Sequence, residues 1–306
     1  MLRNAILLLA LSSGVFAVHA DTPASAVASS EYQQQIQQWQ QHRLKNLTAP
    51  QGWLSLIGLE WLKAGDNRVG SAADNDIVLK AGPAHLGVVT LGKDGALHIK
   101  LTADSGATID GKPVQESALI DDQHAGEGDP TLVSFGTANF YAIDRDGRKG
   151  LRVKDSNAET RTHFLGLDYF PIDPSWRIEA DWVPFDPPHE LEIGSVLGTV
   201  NKEKVPGKAV FTRDGHTYEL YPIQEDPNSL FFVMADKTSG HETYGAARFL
   251  SAAMPKNGKV LLDFNQATNP PCAFTAYATC PLAPPENRLA LRVTAGEKSY
   301  RGGHPH

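Results

Sequence analysis

Four side chains in the last quarter of the chain, Tyr244, Arg248, Asp263 and Asn265, have the types and spacing to hold a small polar ligand. They flank Asn257-Gly258, and Asn-Gly is the pair that best tolerates the positive φ angles of a two-residue hairpin turn. Such a turn places Ala252 opposite Asp263 and Leu250 opposite Asn265. Because side chains alternate along a strand, Tyr244, Arg248, Asp263 and Asn265 then share one face with Leu250, Ala252 and Leu261. Phe249, Ser251, Ala253, Val260, Leu262 and Phe264 take the other face, which reads as core. On the first face Arg248 would meet an anionic or polar group, and Asp263 and Asn265 would accept from hydroxyls or amides. The same face also admits a hydrolase, with Asp263 as its base.

The segment NPPCAFTAYATCPLAPPENR, residues 269–288, follows directly. Cys272 and Cys280 enclose seven residues, and in an exported protein a disulfide between them is expected. A loop that short gains about 2.5 kcal/mol from the link. Stapled and rich in proline, the loop is expected to form a wall beside the polar face, with Glu286, Asn287 and Arg288 completing a rim. Other chemistries find little support. Glycoside hydrolysis would need two carboxyl groups roughly 5–9 Å apart, which could be drawn from Glu225, Asp226, Asp236, Glu242 and Asp263. Ser239 and His241 lie too close in sequence for a nucleophile and its base, and no Gly-x-Ser-x-Gly elbow occurs. The histidines are scattered without a His-Glu-x-x-His pattern, and His304 and His306 read as a tail, so no metal is expected. Nucleotide-binding glycine motifs are absent and no cofactor is expected.

These residues need elements to position them. The first twenty residues carry Arg3, an apolar run from Ala5 to Val18 and small residues ahead of Asp21, the pattern of a signal peptide cut after Ala20. The expected location is periplasmic or secreted. Removing that segment takes away one arginine and no acid, so the net charge moves from -7 to -8. No stripe of Lys and Arg is present to neutralise phosphates, which argues against nucleic acid as a partner. No second apolar run reaches membrane length.

Residues 21–29 read as disordered. Ser30 and Gln33 fit a capping box, and Tyr32, Ile36, Trp39, Arg43 and Leu47 recur at helical steps, which predicts an amphipathic helix ending before Pro50 and packed on the first domain. From Gly52 onward short alternating runs such as ALHIKL, TLVSF and NFYAI, divided by Gly, Asp and Asn, predict strands. The segment GWLSLIGLEWL reads as core or interdomain packing. Further turns are expected at Asp214-Gly215 and near Ser239-Gly240, and VPFDPPHE at 183–190 reads as a rigid linker.

The order of VGSAADNDIVL, PAHLGVV, SGATIDGKPV and TLVSFGTANFYAI resembles a forkhead-associated domain, which implies a β sandwich. That family binds phosphothreonine through arginines. Here Gly70-Ser71 and Gly82-Pro83-Ala84-His85 stand where the family has Gly-Arg and Ser-Arg-x-His, so phosphopeptide binding is not implied. Three longer stretches, LRVKDSNAETRTHFLGLDYFPIDPSWRIEADWVPFDPP, YPIQEDPNSLFFVMADKTSGHETYGAARFL and the cysteine segment, resemble the uncharacterised bacterial family DUF1684 from about Trp53 to Lys298. That resemblance implies no activity.

The resulting expectation is a mainly β protein with one short N-terminal helix: a forkhead-associated-like sandwich over 51–153, then a second antiparallel β domain over 154–306 with the disulfide loop. Its expected work is to bind a small polar molecule, such as a carbohydrate or envelope fragment, through Tyr244, Arg248, Asp263, Asn265 and Arg288. An envelope scaffold presenting GWLSLIGLEWL to partners is the remaining alternative.

Overall fold

A computed structural model describes residues 24–303 apart from Glu127. The signal-peptide segment, His304 and His306 lie outside the described residues. The chain is mainly β. Helix α1 (Ala24–Leu47) comes first. It starts ahead of Ser30, because alanine-rich sequence propagates a helix well, so Ser30 lies inside the helix and not at its cap. The predicted stripe holds: Ile36 and Leu47 are buried while most of the glutamines face outward.

Ten strands follow: β1 (Leu56–Trp61), β2 (Gly65–Gly70), β3 (Ile77–Val78), β4 (Gly87–Leu91), β5 (Leu97–Leu101), β6 (Thr108–Ile109), β7 (Glu116–Ala118), β8 (Val133–Phe135), β9 (Ala138–Arg145) and β10 (Arg148–Asp155). One five-stranded sheet runs β1-β10-β9-β8-β6 and another β3-β2-β4-β5-β7. Alternation explains how they meet. In β5, Leu97, Ile99 and Leu101 are buried while His98 and Lys100 are exposed. Val69, Val89 and Ile99 from one sheet join Val133, Phe140 and Leu151 from the other in a single apolar cluster.

Past α2 (Glu159–Thr162) come β11 (Arg177–Gly194), β12 (Val200–Arg213), β13 (His216–Leu220), β14 (Ile223–Asp226), β15 (Ser229–Met234), β16 (Arg248–Ala253) and β17 (Lys259–Asp263). They form a four-stranded sheet, β13-β12-β11-β17, and a three-stranded one, β14-β15-β16. A second core lies between them, with Phe211, Leu262 and Phe264 meeting Phe232, Met234 and Leu250. Each such side chain contributes about 1.5–3 kcal/mol when fully buried.

Three expectations are corrected by this topology. The segment 183–190 is no linker: it lies within β11, whose register with β12 slips between Pro184 and His189. Proline has no N–H to give a ladder, so it sits where the ladder breaks. The hairpin expected across Asn257-Gly258 closes only at its turn. Both residues have positive φ and Lys256 and Lys259 exchange backbone hydrogen bonds. Beyond them the strands part, β16 pairing with β15 and β17 with β11. Helix α1, finally, meets more than the first region: Leu47 packs with Leu54 but also with Ala273 and Phe274, and polar contacts tie the helix to the C-terminal part of the chain. Arg43 donates to Glu297 at 2.9 Å and to the carbonyl of Asn269 at 3.1 Å.

Candidate functional site

The parting of β16 from β17 separates the side chains expected on one face. In β16 the inward positions are Arg248, Leu250 and Ala252, so Phe249, Ser251 and Ala253 turn outward, the reverse of the expectation. Arg248 is 1% exposed. Its guanidinium meets Asp236 at 3.1 Å and donates to the carbonyls of Ala295 and Val293. Burial pulls its pKa down, opposed by the Asp236 charge. Asp236 is fully employed as well, accepting from Thr238 and from the Val293 N–H. Arg248 thus ties the β15–β16 connection to the chain near Val293.

Asp263 and Asn265 do come together, but around Tyr32 of α1. The Tyr32 hydroxyl donates to Asp263 at 2.8 Å and accepts from Asn265 at 2.9 Å. Burial and then the hydrogen bond to Asp263 push the Tyr32 phenol up. Asn265 also clasps both backbone groups of Asp173. Tyr244 packs against the cysteine loop. Arg288 is exposed beside a separate shallow hollow near Glu219 and Tyr221. Of the other acids considered, Glu242 pairs with Arg292 at 2.6 Å, Asp226 accepts from the Asn228 N–H, and the side chain of Glu225 lies outside the described residues.

The expected disulfide is not formed. Cys272 and Cys280 are free and buried, with the Cys272 N–H donating to the Cys280 sulfur at 3.2 Å. The hydrogen bond with Cys272, then burial, push the Cys280 thiol up. The loop takes its shape instead from short 3-10 turns at Pro271–Ala273 and Pro285–Asn287 and from Asn287, which bonds both backbone groups of Tyr221 and the carbonyl of Val233.

This loop is one wall of a cleft of about 700 Å³. Pro271, Thr279, Cys280 and Pro281 face Arg145 and Arg152 of β9 and β10 across it, and Ile193, Ile223, Phe231 and Phe249 extend it. Register explains the arginines. Arg152 lies opposite Tyr141, and Arg145 opposite Arg148 at the end of the same ladder. Phe140, Ala142, Leu151 and Val153 point into the core, so alternation sends Tyr141, Arg145, Arg152 and Lys154 to the other face of the sheet. The cysteine loop covers part of that face, and the tip of the β11–β12 hairpin is tied to the loop by Val196 N–H to the Cys280 carbonyl, 3.1 Å, and Leu282 N–H to the Gly194 carbonyl, 2.8 Å.

Both guanidinium groups donate to Thr279 Oγ1, Arg145 at 3.2 Å and Arg152 at 3.1 Å. Arg145 is neutralised by a two-point contact with Asp122. Arg152 differs. It is 3% exposed, donates otherwise only to the Tyr141 hydroxyl at 3.3 Å, and lies 5.3 Å from the Trp53 ring centroid. Among the described residues it has no carboxylate partner, and its Nε makes no hydrogen bond. Lys154, two residues on, donates to the Gln51 carbonyl at 2.7 Å. Burial and then the Arg152 charge bring its pKa from 10.5 down to about 8.

Asp121, His124 and Asp144 also cluster, with ligand atoms within 4.8 Å of one another. Lys149 already fills this group with positive charge, reaching Asp121 at 2.5 Å and Asp144 at 2.8 Å. Burial raises the Asp121 pKa, but hydrogen bonds from Lys149 and His124 outweigh it and hold it at about 2.

Residues 162–298 match the family described as protein of unknown function DUF1684. The match is narrower than the sequence resemblance from Trp53, and it takes in Thr279 and the walls of the cleft from β11 onward while leaving out Arg145 and Arg152. No curated protein matches. Among solved structures, an uncharacterized protein of Haloarcula marismortui, determined by solution NMR, is 29% identical over 46% of this chain and 80% of its own, with a TM-score of 0.39. A structure of Rad53 1-466 in complex with AMP-PNP is 10% identical over 72% of this chain and 50% of its own, with a TM-score of 0.18. At these scores neither informs the site.

Sequence reasoning missed Arg145 and Arg152. The available signal was the alternation of Arg148, Arg152 and Lys154 in GRKGLRVKD, which reads as a solvated strand face until a distant loop is known to cover it.

Proposed function

We propose that the protein binds a small anionic ligand in the cleft between β9–β10 and the cysteine loop. The observation that carries this reading is Arg152: a guanidinium buried without a carboxylate among the described residues, with its Nε–H unused, in the wall of a cleft of ligand size. Burying an unpaired charge is costly. An oxyanion head group, carboxylate or phosphate, would remove the cost and take the free N–H. Thr279 supports the same polarity. Its oxygen already accepts two N–H groups, so its own proton is available to donate. The site offers a ligand donors and positive charge, which favours binding of an anion.

The test is calorimetric titration of the protein with formate, acetate, sulfate and phosphate at low ionic strength, repeated with Arg152→Gln. Hydrogen bonds to charged groups contribute about 1.5–3 kcal/mol, so the variant should bind at least about tenfold more weakly. Equal binding by both proteins, or no binding of any anion by the wild type, rejects the site.

A further inference from the structure

Beyond its head-group contacts the cleft has one apolar wall, while Ser195, Asn201 and Glu203 line another part of it. Phe231 and Phe249 meet edge to face at 4.8 Å between centroids, on the outward face of the three-stranded sheet, and both remain partly exposed. Ile193 and Ile223 continue the surface. The exposed part of such rings gains by being covered. The positive charge left over is a single one, that of Arg152, since Arg145 is matched by Asp122. Asp146 and Glu203 also line the cleft, and their charges repel any anionic group placed away from Arg152.

We infer that the ligand is an amphiphilic monocarboxylic acid, its carboxylate held by Arg152 and the Thr279 hydroxyl and its hydrocarbon body laid along Ile193, Ile223, Phe231 and Phe249. This rests on the anion-binding reading and adds the nature of the body. A sugar phosphate or nucleotide would set hydroxyls against that apolar wall and bring a second charge near Asp146 and Glu203. A planar carboxylate suits a guanidinium edge, and each methylene laid on the wall leaves water.

The experiment is a calorimetric series on the wild-type protein with sodium acetate, butyrate, hexanoate and octanoate, with 1-octanol and inorganic phosphate alongside. Burying a methylene is worth about 0.8 kcal/mol, so affinity should rise about fourfold per carbon until the wall is covered. Octanol should bind at least about tenfold more weakly than octanoate. Arg152→Lys, which keeps the charge but loses the fork, should weaken every acid by a similar factor while the slope per carbon stays. A series flat in chain length, or phosphate binding more tightly than octanoate, overturns the hydrocarbon body and leaves the anion site standing. Absence of binding by every anion overturns both.

Discussion

The molecule buries two arginines in opposite ways. Arg248 sits in the core of the C-terminal strands with a carboxylate on one side and two backbone carbonyls on the other. Arg152 sits between the two β regions with a hydroxyl from each side and no acid among the described residues. Residue type and burial are nearly the same, and the difference lies in what answers the charge. Where the protein supplies the counter-charge, the arginine is part of the architecture. Where it does not, the positive charge is left for something else to answer. A buried cation should therefore be judged by its partners before its depth.

That contrast can be broken by substitution. Arg248→Met leaves Asp236 buried without its cation and should cost about 3–5 kcal/mol in a denaturant melt. If the loss is under about 1 kcal/mol, the two arginines are energetically alike and the distinction fails. Arg152→Met removes an unanswered charge and keeps an unbranched apolar stem, so it should raise stability by about 1 kcal/mol while abolishing anion binding. A destabilisation as large as that of Arg248→Met would make Arg152 structural. A third effect is a pH dependence. The folded pKa of Lys154, about 8, lies below its ordinary 10.5, so between those values the unfolded chain binds more protons and stability should rise with pH. Below pH 8 the cost of the charged amine applies in full. Arg152 is the charge acting on it, and Arg43 lines the same small hollow beside Trp53. Comparing melts of wild type and Lys154→Met from pH 7 to 10.5 checks this: the difference between them should shrink as pH rises, and a constant difference would contradict it.

Local features were legible in the sequence because local chemistry dictates them. Asn257-Gly258 and Asp214-Gly215 adopt the positive φ angles that their turns require, ALHIKL alternates as a half-buried strand, and the Tyr32–Leu47 stripe of α1 faces the protein. Pairing between strands was less legible. SLFFVMA is apolar at nearly every position and offers no face, so the sequence could not show that β15 would take β16 away from β17. The inward turn of Arg248 follows from the same gap, since an arginine joins a core only when Asp236, twelve residues earlier, is there to meet it. Arg152 was hidden for a different reason: its contact with Thr279 spans 127 residues of sequence, and a basic strand face looks solvated until its cover is in place.

The docking of α1 carries a consequence in time. Tyr32 and Asp263 are 231 residues apart, and Arg43 and Glu297 are 254 apart. A ribosome adds roughly 5–20 residues per second, so the helix is made on the order of ten to fifty seconds before the partners that hold it. During that interval Leu47 can already meet Leu54, its neighbour in one apolar cluster, but Tyr32 and Arg43 wait for their polar partners. The glutamines that dominate its remaining surface keep so exposed a segment dispersed until residues 263–297 are made and capture it.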